Sequence, residues 1–467
     1  MTSGRGETPG CGTRRVIVPS EVPVLPGSSA AVAAGGLVFT GSMLPMDADH
    51  RLHPAAVVDS DAVPGSDPLE LQSEVLLGHL RETLAAAGCN VGTDVVRIYQ
   101  WAPARYDAKL DVLSDGVWPR FHPADGYVRA ASQVLDGVRT STGIGVRQLP
   151  VADALFAVEV VAVQPQPGVV KQGYAEGDSE RVLPFVSTVG AGDWVTLSAG
   201  PSDFQGDWMS SVSMGEPSFL APQARPNPYI WLGSEIEAQT EYTLQRLARA
   251  AESAGTSLDR CVHADVTLAH ASDFAGFERV WRRWFPHRPP ARNLATGARL
   301  VIKGGRVEVG ATCLTRDAKI EPVRTEGTLP PHGHAPDGVR AGELLFISTR
   351  MPIDASGRVP PRMRPDPARS RFNRAPARDQ VRQVLDELAV VCAAAGTSLR
   401  HVCKVQAFLS DLEHLPEFLD CWREAFPERP PALAVMGMGG APSLLAPHAI
   451  VMAGAIAWVP ATNSDHD

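Results

Sequence analysis

The chain has 467 residues, 44% hydrophobic and 20% charged, enough for about three domains of ordinary size. Forty-three Lys and Arg against 52 Asp and Glu leave a net charge of −9, which excludes the broad electropositive footprint of a nucleic-acid binder. No apolar run approaches the roughly 18 residues of a membrane span, so no membrane partner is expected, and seven Cys without a C-x-x-C pair point to reduced thiols in a cytoplasmic compartment.

In chain order, residues 1–14 read as a disordered leader. A strand and turn follow at GLVFTGSMLPMDADHRL (36–52), and the same pattern returns at DWVTLSAGPSDFQGDW (193–208) and ELLFISTRMPIDASGRV (343–359). Behind each lies a helix whose apolar positions keep helical spacing: Leu77, Leu80, Leu84 and Ala87, then Leu244, Leu247, Ala248 and Ala251, then Val381, Val384, Leu385, Leu388 and Val391. Gly88, Gly255 and Gly396 end these helices. The next stretch alternates in apolarity, as in Val262, Ala264, Val266 and Leu268, the period of a strand covered on one face. Apolar strands close the units at 155–163, 307–314 and 449–458.

These are copies of one unit. Residues 250–292 lie over 391–433 without a gap, so that Gly255 meets Gly396, Trp281 meets Trp422 and Pro290 meets Pro431, each at an offset of 141. A weaker third copy lies at 80–103. The unit reads strand, strand, helix, strand, helix, strand, strand, which predicts an α+β fold of three tandem domains at 15–165, 181–315 and 333–460. Linkers are expected at 166–180 and 316–332, and a tail at 461–467.

The opening strand and turn (LLFISTRMP, LVFTGSMLP), the helix ending in AAAG or ESAG, the W-x-x-x-F-P helix end and the R-P-P-A-R segment together resemble the Rid family, also called YjgF-type. Its members are imine and enamine deaminases that form homotrimers with ligand clefts between subunits. The resemblance therefore implies a single-chain pseudotrimer with internal clefts, each free to diverge because a change in one unit is not repeated by symmetry. The partner it implies is a small-molecule substrate.

In the family an arginine after the R-P-P-A turn grips a substrate carboxylate and a glutamate on the last strand positions water. A guanidinium fork matches a carboxylate, and a carboxylate beside an imine carbon can accept a proton from attacking water. By this resemblance the second unit keeps both catalytic groups, Arg292 and Glu308, with Phe185 where a tyrosine is frequent, Ser198 in the strand turn and Leu294 where a cysteine is frequent. The third unit carries Leu433, Met452 and Gly454 at the corresponding places and is expected to be catalytically empty. The first keeps Arg139 but has a longer loop, RTSTGIGVRQLP, and its Glu159 lies one strand period away. The S-T-G-I-G run is similar to the chorismatase branch of the superfamily, which hydrolyses an enol ether. Thr140, Ser141 and Thr142 are candidate donors to an oxygen-rich ligand, and Gly143 and Gly145 permit close backbone approach.

Plainer readings stand beside these. Arg292 is equally an ordinary structural arginine paired with Glu308 or another acid, and the T-S-T-G run a turn with satisfied hydroxyls. Seven arginines between Arg358 and Arg378 form a solvated or acid-pairing loop. No i, i+4 histidine pair accompanies an acid and no Gly-rich phosphate loop precedes a helix, so neither metal nor nucleotide cofactor is expected. The expectation is cofactor-free hydrolytic deamination in a cleft carrying Arg292 and Glu308, with pathway-specific cyclisation, enol-ether hydrolysis or non-catalytic ligand binding as alternatives.

Overall fold

The computed structural model describes residues 13–58, 67–103, 125–174, 185–202, 220–227, 229, 233–300, 304–315, 318–326, 329, 331–364, 376–439 and 444–461. The first unit comprises β1 (Arg15–Ile17), β2 (Ala31–Ala34), β3 (Leu37–Thr40), α1 (Pro68–Ala87), β4 (Val95–Pro103), α2 (Asp125–Val134), β5 (Thr140–Val146) and β6 (Ala157–Val163). The second comprises β7 (Lys171–Tyr174), β8 (Thr188–Ala191), β9 (Trp194–Ala199), α3 (Glu235–Ser253), β10 (Cys261–Leu268), α4 (Phe274–Trp284), β11 (Ala291–Thr296), β12 (Arg299–Leu300) and β13 (Val307–Leu314). The third comprises β14 (Ile320–Val323), β15 (Gly338–Ala341), β16 (Leu344–Arg350), α5 (Pro376–Ala394), β17 (Val402–Leu409), α6 (Leu415–Ala425), β18 (Ala432–Gly437) and β19 (Val451–Trp458).

The three sheets share one order: β1-β2-β3-β6-β4-β5, β7-β8-β9-β13-β10-β11 and β14-β15-β16-β19-β17-β18. Among the described strands, β4–β5, β10–β11 and β17–β18 pair in parallel, each joined through its unit's second helix as a parallel crossover requires. The α+β repeat architecture is as the sequence implies. Two details differ. The segments expected to be linkers contain β7 and β14, which hydrogen-bond to β8 and β15 and so begin the second and third sheets. Arg14, expected in the leader, is buried and donates to the Val402 carbonyl at 2.7 Å, tying the start of the first unit to the third.

Helix ends follow local chemistry. The Asp67 carboxylate accepts from Leu69 N at 2.9 Å to start α1, and Gly88 ends it at φ 80°, where a side chain would be strained. Leu69, Leu76, Leu77, Leu80 and Leu84 of α1 pack on the sheet.

The units close on one another in a cycle. Trp281 and Trp422, matched in the repeat, are fully buried, and their indole N–H groups cross to the next unit, donating to His334 O at 3.0 Å and Gly27 O at 2.7 Å. Ser29 N donates to Pro431 O at 3.2 Å, and Val186 N to Arg139 O at 3.0 Å, giving the seams of the third with the first unit and of the first with the second a matching backbone contact. Strand β12 adds to the first sheet by pairing with β5, a further tie between units one and two. Functional sites at unit boundaries therefore have three non-identical places to form.

Candidate functional site

A β-bulge in each central strand sets the three sheets in common register. The ladder slips between Val95 and Arg97, between Cys261 and His263, and between Val402 and Lys404. Counted from the bulge, Arg97, His263 and Lys404 are equivalent, as are Tyr99, Asp265 and Gln406. Opposite the second set, on the last strand, stand Glu159, Gly310 and Gly454. On the strand paired in parallel with the central one (β5, β11 and β18) Ser141, Arg292 and Leu433 are equivalent, paired with Ile98, Ala264 and Val405.

This register corrects one expectation. Arg139 is not the counterpart of Arg292; Ser141 is, and Arg139 holds the place of Pro290 and Pro431. Matching arginine to arginine ignores the strand pairing, which fixes position two residues further on. Glu308 and Glu159 are indeed one strand period apart, since Glu308 is equivalent to Ala157 and Met452.

A second expectation is also corrected: Arg292 and Glu308 do not share a cleft. Arg292 is in register with Ala264 and Glu308 with Thr267, an odd separation that sends the two side chains to opposite faces of the sheet. Arg292 faces α4 and the third unit. Its Nη1 lies 2.5 Å from Glu278 Oε1, its Nη2 donates to His332 O at 3.1 Å, and its backbone N–H donates to Ser348 Oγ at 3.0 Å. Phe274, Phe277 and Trp281 surround the guanidinium. A side chain at Gly333 would strike both Glu278 and Arg292, so the following loop lies closely over the pair. Burial lowers the pKa of Arg292, and the Glu278 carboxylate opposes that shift. This is a buried ion pair, as the plainer reading allowed, though its acid is Glu278 and not Glu308; Glu278 Oε2 also lies 3.5 Å from the exposed Arg282 and accepts from His334 N at 2.8 Å.

Glu278 was missed from the sequence, although the signal was present. At the offset of 141, Glu278 meets Leu419 as Arg292 meets Leu433. Both leucines are buried in the third unit, so the two charges are replaced together by two apolar groups.

The seam of the first and second units collects the expected site residues Phe185, Arg139, Ser198, Ser141, Thr142, Gly143 and Glu308. Phe185 bridges to Arg139. Ser198 Oγ donates to Ser141 O at 2.6 Å and lies 3.5 Å from Thr142 Oγ1, which accepts from Arg97 Nη2 at 3.3 Å. Glu308 reaches the same strand: the Gly143 N–H donates to its carboxylate, and the Arg97 guanidinium acts on it. Burial pushes the Glu308 carboxyl up to about 8 from the ordinary 4.5; Arg97 and the Gly143 N–H act against that rise without cancelling it. Glu308 nonetheless keeps some exposed surface, unlike the buried Val307 and Val309 on either side of it. Gly310 matters here because a Cβ at that place would collide with the Arg97 guanidinium; the absent side chain admits Arg97 to the seam.

Glu159 lies elsewhere, at the meeting of the first and third units. It is fully buried, its Oε2 lies 2.6 Å from Lys404 Nζ, and Gln406 Nε2 donates to both its oxygens at 3.3 Å. Gln406 Oε1 accepts from Asn293, whose Oδ1 accepts from Thr349 at 2.9 Å. Tyr99 Oη donates to Asp265 Oδ2 at 2.7 Å, with Arg97 Nη2 at 3.4 Å and His263 Nδ1 at 3.7 Å. Burial disfavours ionised Asp265, yet His263, Arg97 and the Tyr99 hydroxyl hold its pKa below the ordinary value. Side chains from all three units thus meet in one polar network whose equivalent positions carry unlike residues.

Among the described residues no group of three or more His, Cys, Asp or Glu is arranged to hold a metal ion, and no helix is long and apolar enough to cross a membrane. Of the arginine-rich loop, Arg369, Arg371 and Arg374 lie outside the described residues, while Arg378 pairs with Asp420 and Glu424.

Comparison with known proteins adds sequence relatives. The family model described as endoribonuclease L-PSP matches residues 221–315 and 328–451. A RutC family protein of Pyrococcus horikoshii is 31% identical over 112 residues, which are 24% of this chain and 79% of the relative. A 3-aminoacrylate deaminase RutC of Acinetobacter baylyi is 27% identical over 139 residues, 30% of this chain and 98% of that protein. Among solved structures, a chorismatase at 12% identity aligns over 78% of this chain and 93% of its own, with a TM-score of 0.43.

Proposed function

Since this chain belongs to the Rid family, that of the endoribonuclease L-PSP and RutC proteins, we propose that it is a cofactor-free enzyme acting on a small imine, enamine or related carboxylic acid, with Glu308 as its acid and base. The observation that carries the reading is the Glu308 carboxyl, raised to about 8 at a seam lined by Ser141, Thr142 and Ser198. Such a group is largely protonated at neutral pH, close enough to its pKa to give and retrieve a proton. A carboxyl at its ordinary pKa would already be ionised.

In the reaction, Glu308 gives its proton to an enamine carbon or an imine nitrogen, making the adjacent carbon electrophilic. Water attacks that carbon while the Glu308 carboxylate takes one of its protons. Transfer of a proton to nitrogen expels ammonia and leaves the carbonyl compound, so one imine and one water give one carbonyl and one ammonia. Arg97 and the Gly143 N–H favour the carboxylate formed midway. The relative named 3-aminoacrylate deaminase supports an enamine acid as the substrate class.

A second reading uses the same acid. The row of hydroxyls at Ser141, Thr142 and Ser198 suits an oxygen-rich ligand, and proton transfer from Glu308 to an enol ether would begin its hydrolysis. The test is release of ammonia and keto acid from 2-imino acids made in situ by an amino-acid oxidase. Acceleration by the wild type that is lost in Glu308→Gln supports deamination. No acceleration over a panel of imino acids overturns it and turns attention to enol ethers or to binding without turnover.

A further inference from the structure

Arg139 is buried with no exposed surface, yet its Nε and Nη1 have no hydrogen-bond partner. Its Nη2 donates only to the Gly137 carbonyl in its own turn. Among the described residues no carboxylate comes within ion-pair distance of it; Asp136 and Tyr127 act on it only through their fields. A second cation sits close by. Lys171 Nζ donates to Gly92 O at 2.7 Å and Val95 O at 3.1 Å, and a Cβ at Gly137 would come within 2.8 Å of it. Two cations around one turn, one of them buried without an ion-pair partner, cost free energy that the fields of Tyr127, Asp136 and Asp94 offset only in part, since burial still lowers the pKa of both.

Next to them is an oriented chain of hydrogen bonds. Ser141 Oγ donates to Gln100 Oε1 at 2.8 Å, and Gln100 Nε2 donates to Tyr127 Oη at 2.8 Å. The Tyr127 oxygen is therefore an acceptor from Gln100, which leaves its own proton to be donated. Tyr127 is buried, stacks near Phe156 with centroids 4.3 Å apart, and lies close enough to feel the Arg139 charge. An unpaired guanidinium and a free phenolic donor are what an entering oxyanion needs.

We infer that Arg139 and Tyr127 form an anion subsite at the seam of the first and second units, taking the carboxylate of a small organic acid. Ser141 and Gln100 are positioning residues that orient the Tyr127 hydroxyl. The apolar ring surfaces of Tyr127 and Phe156 favour an organic acid over an inorganic anion. The inference rests on the proposed reaction only in treating the bound acid as a substrate; binding itself stands apart from turnover. It also moves the carboxylate anchor away from Arg292, whose charge Glu278 already satisfies.

The experiment is calorimetric titration of the full chain with 2-oxobutanoate, alongside inorganic phosphate, for wild type, Arg139→Gln, Arg139→Lys and Tyr127→Phe. Saturable one-site binding of the keto acid is expected, weakened about tenfold or more in Arg139→Gln and several-fold in Tyr127→Phe. Arg139→Gln should melt no lower than the wild type, because it removes an uncompensated buried charge. Should Arg139→Gln not fold, Arg139→Lys serves in its place and is expected to bind more weakly. Unchanged affinity in the arginine variants, absence of saturable binding by the wild type, or phosphate binding as tightly as the keto acid would each overturn the inference. Loss of turnover in Glu308→Gln tests the reaction separately, so the two claims can fail independently.

Discussion

Arg292 and Glu278 are joined in the second unit at the two places that Leu433 and Leu419 hold in the third. The paired exchange means that the chain treats these positions as one packing element, built once from charges and once from leucines. Removing a single partner leaves the other charge buried, at a cost of about 3–5 kcal/mol, whereas replacing both with apolar groups is often neutral or stabilising.

Arg292→Leu and Glu278→Leu should therefore each lower the melting temperature clearly, and the double substitution should recover most of the loss. A double-mutant cycle by thermal melting reads this directly. Additive losses would show that the pair is not a closed unit.

Glu308 gives a pH signature to stability. Its pKa is raised in the folded chain to about 8 from 4.5, so between those values the native state holds a proton that the unfolded state has released. Its contribution to stability is therefore greatest below the ordinary carboxylate range, falls as pH rises toward 8, and is flat above. Glu308→Gln should melt near the wild type at acid pH and progressively above it as pH rises. Parallel melting curves across that window would contradict a raised carboxyl.

Arg97 acts on Glu308 through its charge and opposes the rise in that pKa. Arg97→Gln is expected to move the Glu308 transition to higher pH in the same melting series. A shift toward acid pH, or none, would remove Arg97 from the site.

Lys404 and Glu159 join the third unit to the first in the buried polar network. Lys404→Met strands the Glu159 carboxylate and should cost about 3–5 kcal/mol, with Glu159→Gln added to it restoring part of the loss. Thermal melting of the single and double variants checks this; no recovery in the double would mean the two residues act separately.

The repeat was legible because the signals that specify it are local and occur three times. The period of Leu244 and Leu247, the stop at Gly255 and the alternation after Val262 all reappear at the offset of 141 or in the upstream copy. The site was only partly legible, because its geometry depends on strand register and on neighbouring units. Matching Arg139 to Arg292 by residue type failed, since the bulge between Val95 and Arg97 and the pairing of Ile98 with Ser141 fix position, not identity. Glu308 was found by its strand motif, but that motif could not tell which seam it faces. Glu278 and Tyr127 lie on helices whose periodicity reports burial and says nothing of what is buried opposite.

The central claim is that chemistry belongs to the seam bearing Glu308 and not to the one bearing Arg292. The most direct measurement is the rate of ammonia release from an in situ imino acid by Glu308→Gln and by the Glu278→Leu/Arg292→Leu double variant, each against wild type. The account predicts loss of at least about a hundredfold in the first and a rate close to wild type in the second. Activity that survives in Glu308→Gln but disappears in the folded double variant would contradict it and return the reaction to Arg292.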